Sequence, residues 1–466
     1  MQNKKIRLAF CLTCLTTVCS IQVATAGEST PYSQYGLGII QDNDYVPSSS
    51  MGGLGAAYRS QDAFNYNNPA SLSEAALTSF EAGLIGQFGR RKTNAGSAKI
   101  GTTGLDYLSM SFPVIRGHWG MGAGLLPYSS RISYTNDTLQ INGQEGIIHN
   151  ENDGQLYNFF WSNGFKYKEY SFGMNIGYQF GNLSNNELAY PLKDKLVDVF
   201  GFGTWYKNSL VVRSLSMTFG AQYHKEFKYG DQKNKTLALT VGLAGAPGHK
   251  LGKKSSLDES LMTVDANLLI DKSSSQSYKD FLMDLYTLRP TGFDTLRISE
   301  NLNTDVHIPG YIQAGFTLAD SIRWLIGFDY RYQPWSKYKG YGINSGVSLQ
   351  NSWRIGVGGE FLPSLDQQKN FFSKLKYRAG FHYERTNLNI SSSSINEFGI
   401  NVGFGIPIVI KLYDEFNTRM YVYAFNLSFE AGSRGTLGNN LIRENYGKIK
   451  LGINLNSSWF QKRKYY

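Results

Sequence analysis

Stretches in which apolar and polar side chains strictly alternate recur along this chain from about residue 78 to its end. In one stretch Phe172, Met174, Ile176, Tyr178 and Phe180 alternate with serine, glycine, asparagine and glutamine. A side-chain period of two residues is that of a β-strand, whose successive side chains point to opposite faces of the sheet. The chain is therefore predicted to be all-β, with one bulky apolar face and one face of glycine, amides and charges.

The alternating stretches have the length that a membrane crossing needs. A tilted strand crosses a bilayer in ~9–11 residues, and a closed barrel is the only sheet that leaves no unpaired backbone edge in lipid. Aromatic residues near the strand ends are typical of the girdles of such barrels. We therefore predict a transmembrane antiparallel β-barrel. The clearest stretches are residues 171–180, 322–333, 376–384, 398–405, 421–430 and 449–459.

A secreted soluble β-protein, such as a propeller or a sandwich, also has alternating strands and stays open as an alternative. Two features favour the barrel. Aromatic residues make up 14% of the chain and concentrate on the apolar strand face. The alternation also continues over nearly 400 residues without a domain break.

Sixteen candidate strands can be placed, although the patterns near 198, 211 and 347 are weak. Short connections contrast with long ones, as in bacterial barrels that have turns at one end and loops at the other. The strands begin near 78, 103, 118, 155, 169, 198, 211, 235, 261, 308, 322, 347, 374, 395, 418 and 447. The short connections are 114–118, 166–168 and 320–321, and the long ones are 131–153, 182–197, 245–260 and 271–307.

The longest connection, 271–307, carries apolar residues at near-helical spacing. This spacing predicts a short amphipathic helix that rests on the barrel mouth. An exposed loop without a helix is an equal alternative. The residues are Tyr278, Phe281, Leu282, Leu285 and Leu288.

Residues 1–26 have the features of a signal peptide. Lys4, Lys5 and Arg7 precede an apolar stretch that ends at Val23, and the tripeptide 24–26 reads Ala-Thr-Ala, a cleavage-site pattern. A membrane anchor is the alternative. All three cysteines of the chain fall in this segment, at Cys11, Cys14 and Cys19. The mature chain is therefore expected to have no disulfide, no thiolate metal site and no cysteine nucleophile.

The charge of the chain excludes some classes of function. Of the formal charge of +10, the signal peptide carries three, which leaves +7 for about 440 residues. Nucleic-acid binding needs a clustered basic stripe, and only the short run Lys462-Arg463-Lys464 is present, which we interpret as a solvated end. The mean hydropathy of −0.31 excludes a bundle of membrane helices.

Residues 27–77 lack strand periodicity and are predicted to form an N-terminal plug, with the barrel spanning 78–466. The sequence Asn68-Pro69-Ala70 has a favoured N-cap residue followed by proline at the first helical position. Ser71 and Glu74 offer a competing capping box, and only one of the two caps can be used. The segment is therefore predicted to contain a short capped helix.

A plug that carries Asn68-Pro69-Ala70 and precedes a barrel resembles the FadL-type outer-membrane transporters of long-chain fatty acids and other hydrophobic compounds. Residues 31–38 and the end of the chain, 434–446 and 459–466, resemble an uncharacterised branch of these barrels. The resemblance implies an N-terminal hatch and fourteen strands, and we adopt fourteen. The branch is also similar to barrels that are partners in type IX protein secretion, which implies a protein partner.

Five ionisable residues on polar strand faces would project into the lumen if the apolar faces meet lipid. Their predicted role is to hold the plug through hydrogen bonds and ion pairs. The alternative is that Arg331 or Arg378 guides a carboxylate head group. The five residues are Asp329, Arg331, Arg378, His382 and Glu384.

The predicted function is passive uptake of hydrophobic, fatty-acid-like small molecules across the outer membrane. The alternative is an outer-membrane scaffold that binds another protein, as in type IX secretion. The expected partners are therefore outer-membrane lipid and a hydrophobic ligand or, in the alternative, a protein. No nucleic acid is expected, because the basic residues form no clustered stripe. The chain is expected not to be an enzyme and to hold no cofactor or metal, because it lacks the G-x-S-x-G, H-E-x-x-H and P-loop motifs. A lipid-modifying enzyme with dispersed catalytic residues stays the third hypothesis.

Overall fold

The computed structural model describes residues 30–457, apart from 62, 95, 142–143, 192–201, 230–234, 266–268, 270–276, 321–322, 343–346, 365–369 and 415–416. The predicted signal peptide, residues 1–26, and the basic run 462–464 lie outside the described residues.

Fourteen antiparallel strands form a closed barrel in the described part of the chain. The last strand, β14, pairs with the first, β1, from Thr78 opposite Ser457 to Lys92 opposite Arg443, which closes the ring. The prediction of an all-β barrel with fourteen strands is therefore confirmed. The strands are β1 (Thr78–Lys92), β2 (Ser97–Ile115), β3 (Trp119–Ser130), β4 (Gln144–Tyr167), β5 (Tyr170–Pro191), β6 (Phe202–Tyr229), β7 (Lys235–Ala246), β8 (Tyr311–Asp320), β9 (Trp324–Gln333), β10 (Ser352–Phe361), β11 (Lys376–Ile390), β12 (Ser393–Asp414), β13 (Asn417–Gly435) and β14 (Arg443–Ser457).

The two faces of the wall are as unlike as the alternation predicts. Apolar side chains at every second position point outward, and Phe172 and Ile400 are 56% and 57% exposed. The residues between them point inward and are buried, such as Asn175 and Asn401, each 1% exposed. Such a surface is stable only where the outward face meets lipid, because large exposed apolar patches are rare on soluble proteins.

The count of sixteen candidate strands was too high by two. The candidates near 198 and 211 belong to one strand, β6, whose first ten residues extend beyond the ring and pair with the strand Ser256–Asp265. That strand, the candidate near 261, pairs on its other side with Phe293–Asn303 and lies outside the ring. The connection 245–260 is long because it leads from the ring to this additional strand.

The two ends of the barrel differ in their connections. At one end β2 and β3, and β4 and β5, are joined by turns of two or three residues. At the other end, here called the loop end, the connection between β7 and β8 carries several elements of its own. The additional strands of the chain are Ile39–Ile40, Ser133–Ile141, His249–Lys250, Ser256–Asp265, Phe293–Asn303, His307–Ile308 and Val347–Leu349.

The helices are short. Tyr278–Leu288 forms the helix expected in the long connection, where Phe281 and Leu282 are buried and Leu288 is exposed. None of the helices among the described residues has the length and apolarity needed to cross a membrane. The other helices are Pro31–Gln34, Val46–Ser49, Pro69–Glu74, Pro290–Gly292, Trp335–Lys337, Phe371–Lys374 and Gly438–Asn440, of which only Val46–Ser49 is α-helical.

Two adjacent threonines on β2 test the assignment of the faces. Thr103 lies opposite outward-facing Gly86, whereas Thr102 lies opposite buried Gln87. We expect Thr103→Arg to lower the unfolding free energy in phospholipid vesicles by ~2–4 kcal/mol, because it places a charge in hydrocarbon. Thr102→Arg is the matched control and should cost clearly less, since it enters a polar interior. Guanidinium titration measures both values, and equal costs would contradict the assignment.

Candidate functional site

The segment 30–77, here called the N-terminal segment, runs through the interior of the barrel from the loop end to the turn end. At the loop end the backbone N–H of Thr30 donates to the carbonyl oxygen of Ile132 at 3.0 Å. At the turn end the Glu74 carboxylate is 2.6 Å from Nζ of Lys166, near the end of β4. Most side chains in 45–58 and 64–73 are buried.

Glycines on the inward wall allow the backbone of this segment to come close. A Cβ at Gly242 of β7 would overlap the carbonyl group of Ala56, and one at Gly380 of β11 would overlap the backbone at Met51 and Gly52. Further inward glycines on β3, β4, β5 and β10 make similar approaches to the backbone, and those on β6 and β12 approach the side chains of Asn68 and Ser50. The wall is therefore shaped around this segment on several sides.

Carboxylates of the wall hold the backbone of the segment. Oδ2 of Asp329 accepts hydrogen bonds from the backbone N–H groups of Gly55 and Ala56, the latter at 2.9 Å. Oε1 of Glu81 accepts from the N–H of Phe64 at 2.5 Å. Hydrogen bonds to charged groups contribute about 1.5–3 kcal/mol each, so these two side chains are strong attachment points.

Asn68-Pro69-Ala70 begins a helix, as predicted. Oδ1 of Asn68 accepts from the N–H of Ala70 at 3.1 Å, and its Nδ2 donates to the carbonyl oxygen of Ala56 at 2.6 Å. The same Nδ2 lies 3.3 Å from carbonyl oxygens of β6 and β7. The Asn68 side chain thus caps the helix and ties it to the wall, and the helix Pro69–Glu74 is a 3-10 helix.

Glu74 does not close a capping box but forms ion pairs. Its carboxylate contacts the Arg59 guanidinium as well as Lys166. Burial alone would raise the pKa of Glu74, but Arg59 and Lys166 hold it below its ordinary value. Burial lowers the pKa of the Arg59 guanidinium, although Glu74 opposes that shift.

The charges along the lumen wall are largely paired. Arg434 lies 2.5 Å from Glu397, Arg378 lies 2.7 Å from Glu360, and Lys450 lies 3.1 Å from Asp106. Arg354 contacts Asp42 and, at 3.5 Å, Asp44, both from the N-terminal segment. The space left between the segment and this part of the wall is a cavity of about 110 Å³.

The structure places all five predicted lumen residues on the inward face but does not join them into one site. Asp329 binds the segment, and Arg378 is held by Glu360 and by Oδ1 of Asn426 at 2.7 Å. Nδ1 of His382 lies 3.3 Å from Oδ1 of Asn401. Arg331 and Glu384 line the cavity, and the Arg331 guanidinium lies 4.2 Å from the centre of the Tyr311 ring.

Four further charged residues form close ion pairs in the lumen and were not among the predicted residues: Arg354, Glu360, Glu397 and Arg434. The signal was present in β10, where Trp353, Ile355 and Val357 alternate with Arg354 and smaller residues. The strand had been placed near 347, so its faces were not assigned. For Glu397 and Arg434 the pairing depends on the register of β12 against β13, which places them directly opposite each other.

One group of side chains in the described part of the chain has the spacing of a metal site. Ligand atoms of His382, Glu397 and Glu430 lie within 4.8 Å of one another. However, Glu397 already pairs with Arg434, and Lys448 lies 3.9 Å from Glu397 and 3.7 Å from Glu430. These cations balance the carboxylates, so the group fits a salt-bridge network better than a cation site.

An apolar cluster occupies the loop end of the lumen. It joins inward-facing residues of β4, β5 and β6 to loop residues and to Leu37 of the N-terminal segment. Its centre includes Trp335 and Tyr338, which are 3% and 5% exposed. The cluster comprises Leu37, Leu156, Leu183, Leu210, Val212, Leu251, Val306, Ile308, Trp335, Tyr338 and Tyr341.

A family model described as BamG matches residues 3–466, whereas a search among curated proteins found no match. Three solved structures are similar along nearly their whole length. The CymD monoaromatic hydrocarbon channel is 14% identical, with a TM-score of 0.52 over 91% of this chain and 100% of its own. A Pseudomonas aeruginosa FadL homologue is 12% identical, with a TM-score of 0.54 over 89% of this chain and 98% of its own. The Ralstonia pickettii toluene transporter TbuX is 14% identical, with a TM-score of 0.52 over 89% of this chain and 99% of its own.

These identities are low, so the likeness shows a shared fold. The resemblance to FadL-type barrels is confirmed at that level, but the family whose model matches is BamG and not FadL itself. The prediction of an outer-membrane β-barrel is confirmed as well.

Asp329 gives a direct test of how the N-terminal segment is held. Asp329→Ala removes the acceptor of two buried N–H groups, and each unsatisfied group costs about 1–3 kcal/mol. We expect amide hydrogens of residues 52–58 to exchange roughly tenfold or more faster in detergent, measured by mass spectrometry. Asp320→Ala, at the turn end of the neighbouring strand, is the control and should leave that exchange unchanged. Unchanged exchange in Asp329→Ala would contradict the anchoring role.

Proposed function

The chain belongs to the BamG family, and we propose that it forms a gated outer-membrane channel for hydrophobic small molecules, with residues 27–77 as its plug. The shared fold supports this proposal, since the printed names of two similar structures are a hydrocarbon channel and a toluene transporter. Their ligands are those of other proteins, so the argument for this chain depends on its own lumen.

The apolar cluster at the loop end is the observation that carries the proposal. It is a site inside the wall where an incoming apolar molecule would find apolar surface, and one of its members, Leu37, belongs to the segment that fills the lumen. A ligand that packs against Trp335 and Tyr338 would compete with Leu37 for the same contacts. Ligand entry and displacement of the segment would thereby be coupled.

Displacement is needed because the route below the cluster is closed. The cavity of about 110 Å³ beside the segment is too small for a long acyl chain, and charged residues form part of its lining. Ligand-binding pockets are usually several hundred cubic ångströms and mostly apolar. The structure therefore represents the closed state of the proposed channel.

Among the predicted lumen cations, Arg331 is the better candidate to receive a fatty-acid carboxylate. Arg378 is held by Glu360 and Asn426, which assigns it a structural role. Arg331 stacks on Tyr311 and lines the cavity, and it forms no ion pair within the described residues. A long-chain fatty acid would thus have an apolar site above and a cation below.

A protein-binding scaffold is the second candidate, favoured by the charged and filled lumen. A barrel that transports nothing needs no apolar route, and the ion pairs between segment and wall would then serve stability alone. The resemblance to type IX secretion partners supports the same candidate. Pull-down from outer membranes separates the two, because a stoichiometric partner without any uptake defect favours the scaffold.

Removal of the segment tests whether it closes the lumen. Deletion of residues 27–77 should raise the leakage of a small dye from proteoliposomes several-fold, because it empties the centre of a closed ring. A matched deletion of the external helix 278–288 should leave leakage at the wild-type level. Leakage that stays the same after the first deletion, with fourteen-stranded protein in the vesicles, would refute a plug.

Trp335 tests the apolar entry site. Trp335→Ala removes a ring that is 3% exposed and should lower stability by about 3–5 kcal/mol. It should lower proteoliposome uptake of a labelled fatty acid, because the ligand loses a ring against which it would pack. Trp353→Ala, which removes a β10 ring that lies tilted against the Tyr383 ring, is the control. Unchanged uptake in the first variant, or an equal loss in both, would argue against this entry site.

A further inference from the structure

The outer wall carries four cations on three neighbouring strands, at the loop end of the barrel. Arg90 of β1 lies directly opposite Lys99 of β2, and Lys92 of β1 lies directly opposite Arg443 of β14. All four side chains are exposed. Because Arg90 and Lys92 are two residues apart on one strand, they share a face, and the four cations form one patch.

This patch has no internal charge balance. Like charges directly opposite each other destabilise a sheet, and none of the four forms an ion pair with any residue that the structure describes. Arg91, which lies between two of them but points inward, does have a partner, because Glu444 is 3.4 Å from its Nε. The inward cation Arg91 is thus paired within the protein. The four outward cations would need a counter-charge from outside the protein.

The patch lies at the level where lipid head groups are expected. The outward residues of β1 run from Phe80 to Phe88 before Arg90 appears. Ten residues of strand span about 33 Å, and a tilt of about 40° reduces this to about 25 Å, the height of the apolar band of such barrels. Long loops face the outside in bacterial barrels, so the patch faces the outer leaflet.

A groove lies next to the patch on the same wall. It has a volume of about 1130 Å³, and its lining includes Arg90, Lys99 and Arg443 together with Phe88, Phe398 and Ile400. Its floor includes the small residues Ala431 and Gly447, which lie directly opposite each other on β13 and β14. A groove with apolar walls and cations at its edge matches a molecule that has acyl chains and an anionic head.

We propose that this wall binds a phosphorylated lipid of the outer leaflet. The phosphate oxygens accept hydrogen bonds from the guanidinium groups of Arg90 and Arg443 and from the ammonium groups of Lys92 and Lys99. One acyl chain lies in the groove over Ala431 and Gly447. The bound phosphate removes the repulsion within both like-charge pairs. This site is on the outside of the barrel and is independent of any transport through the lumen.

The test compares two fourfold variants in detergent by native mass spectrometry, with bis-phosphorylated lipid A as the probe. The site variant combines Arg90→Gln, Lys92→Gln, Lys99→Gln and Arg443→Gln. The control combines Lys253→Gln, Lys254→Gln, Arg289→Gln and Lys337→Gln at exposed loop positions, so the two variants have the same net charge. We expect the wild type and the control to bind lipid A equally and the site variant to bind at least tenfold more weakly.

Two further arms identify what is bound. Lipid A without its phosphates should bind the wild type as weakly as the site variant binds the phosphorylated form, and millimolar inorganic phosphate should not displace lipid A. Ala431→Trp, which fills the groove and leaves the cations intact, should also weaken binding. Equal binding by the site variant and wild type, or no effect of removing the phosphates, would overturn the proposal. Retained binding in Ala431→Trp would overturn the placement of the acyl chain.

Discussion

The closure of the sheet, in which β14 pairs with β1 along fifteen residues, is the constraint on which the rest of the structure depends. A closed ring leaves no unpaired strand edge, so the backbone is satisfied within the wall and the outer face is free to be apolar. The same closure creates an inside. Since side chains alternate between the faces, every apolar residue that meets lipid obliges its neighbour to point into the lumen.

The lumen of this barrel is lined by charges that are paired with one another. Buried charges require partners, and the wall supplies several of them across strand pairs, as in Arg434 with Glu397. The N-terminal segment supplies others, because Asp42 and Asp44 pair with Arg354. The segment is therefore part of the electrostatic structure of the lumen. The inward glycines of the wall and the hydrogen bonds to Asp329 hold the segment in the same position.

The sequence predicted those features that depend on local pattern. Alternation alone assigned Phe172 and Ile400 to the outer face, and the order Asn68-Pro69 located a capped turn. It failed where partners are distant along the chain. Nothing near Glu397 indicates that β13 will place Arg434 opposite it, and nothing near 211 shows that β6 continues beyond the ring to pair with a loop strand. Strand register and barrel closure are properties of the tertiary structure. The sequence could therefore predict that polar residues would meet in the lumen, but not which residues would pair.

The charge pairs also contribute to the free energy that any opening of the lumen would require. Moving the segment away from the wall would separate Asp44 from Arg354 and take the N–H groups of Gly55 and Ala56 from Asp329. Breaking a buried pair by removing one partner costs about 3–5 kcal/mol. A ligand shifts such an equilibrium only by its differential affinity for the open state, so an apolar ligand at Trp335 would need contacts in the open state worth at least that much. Water entering the lumen as the segment leaves would solvate Arg354 and lower the requirement. Displacement of the segment would therefore begin most easily at the loop end. There Leu37 is held by apolar contacts, and a hydrophobic ligand can form the same type of contact in its place.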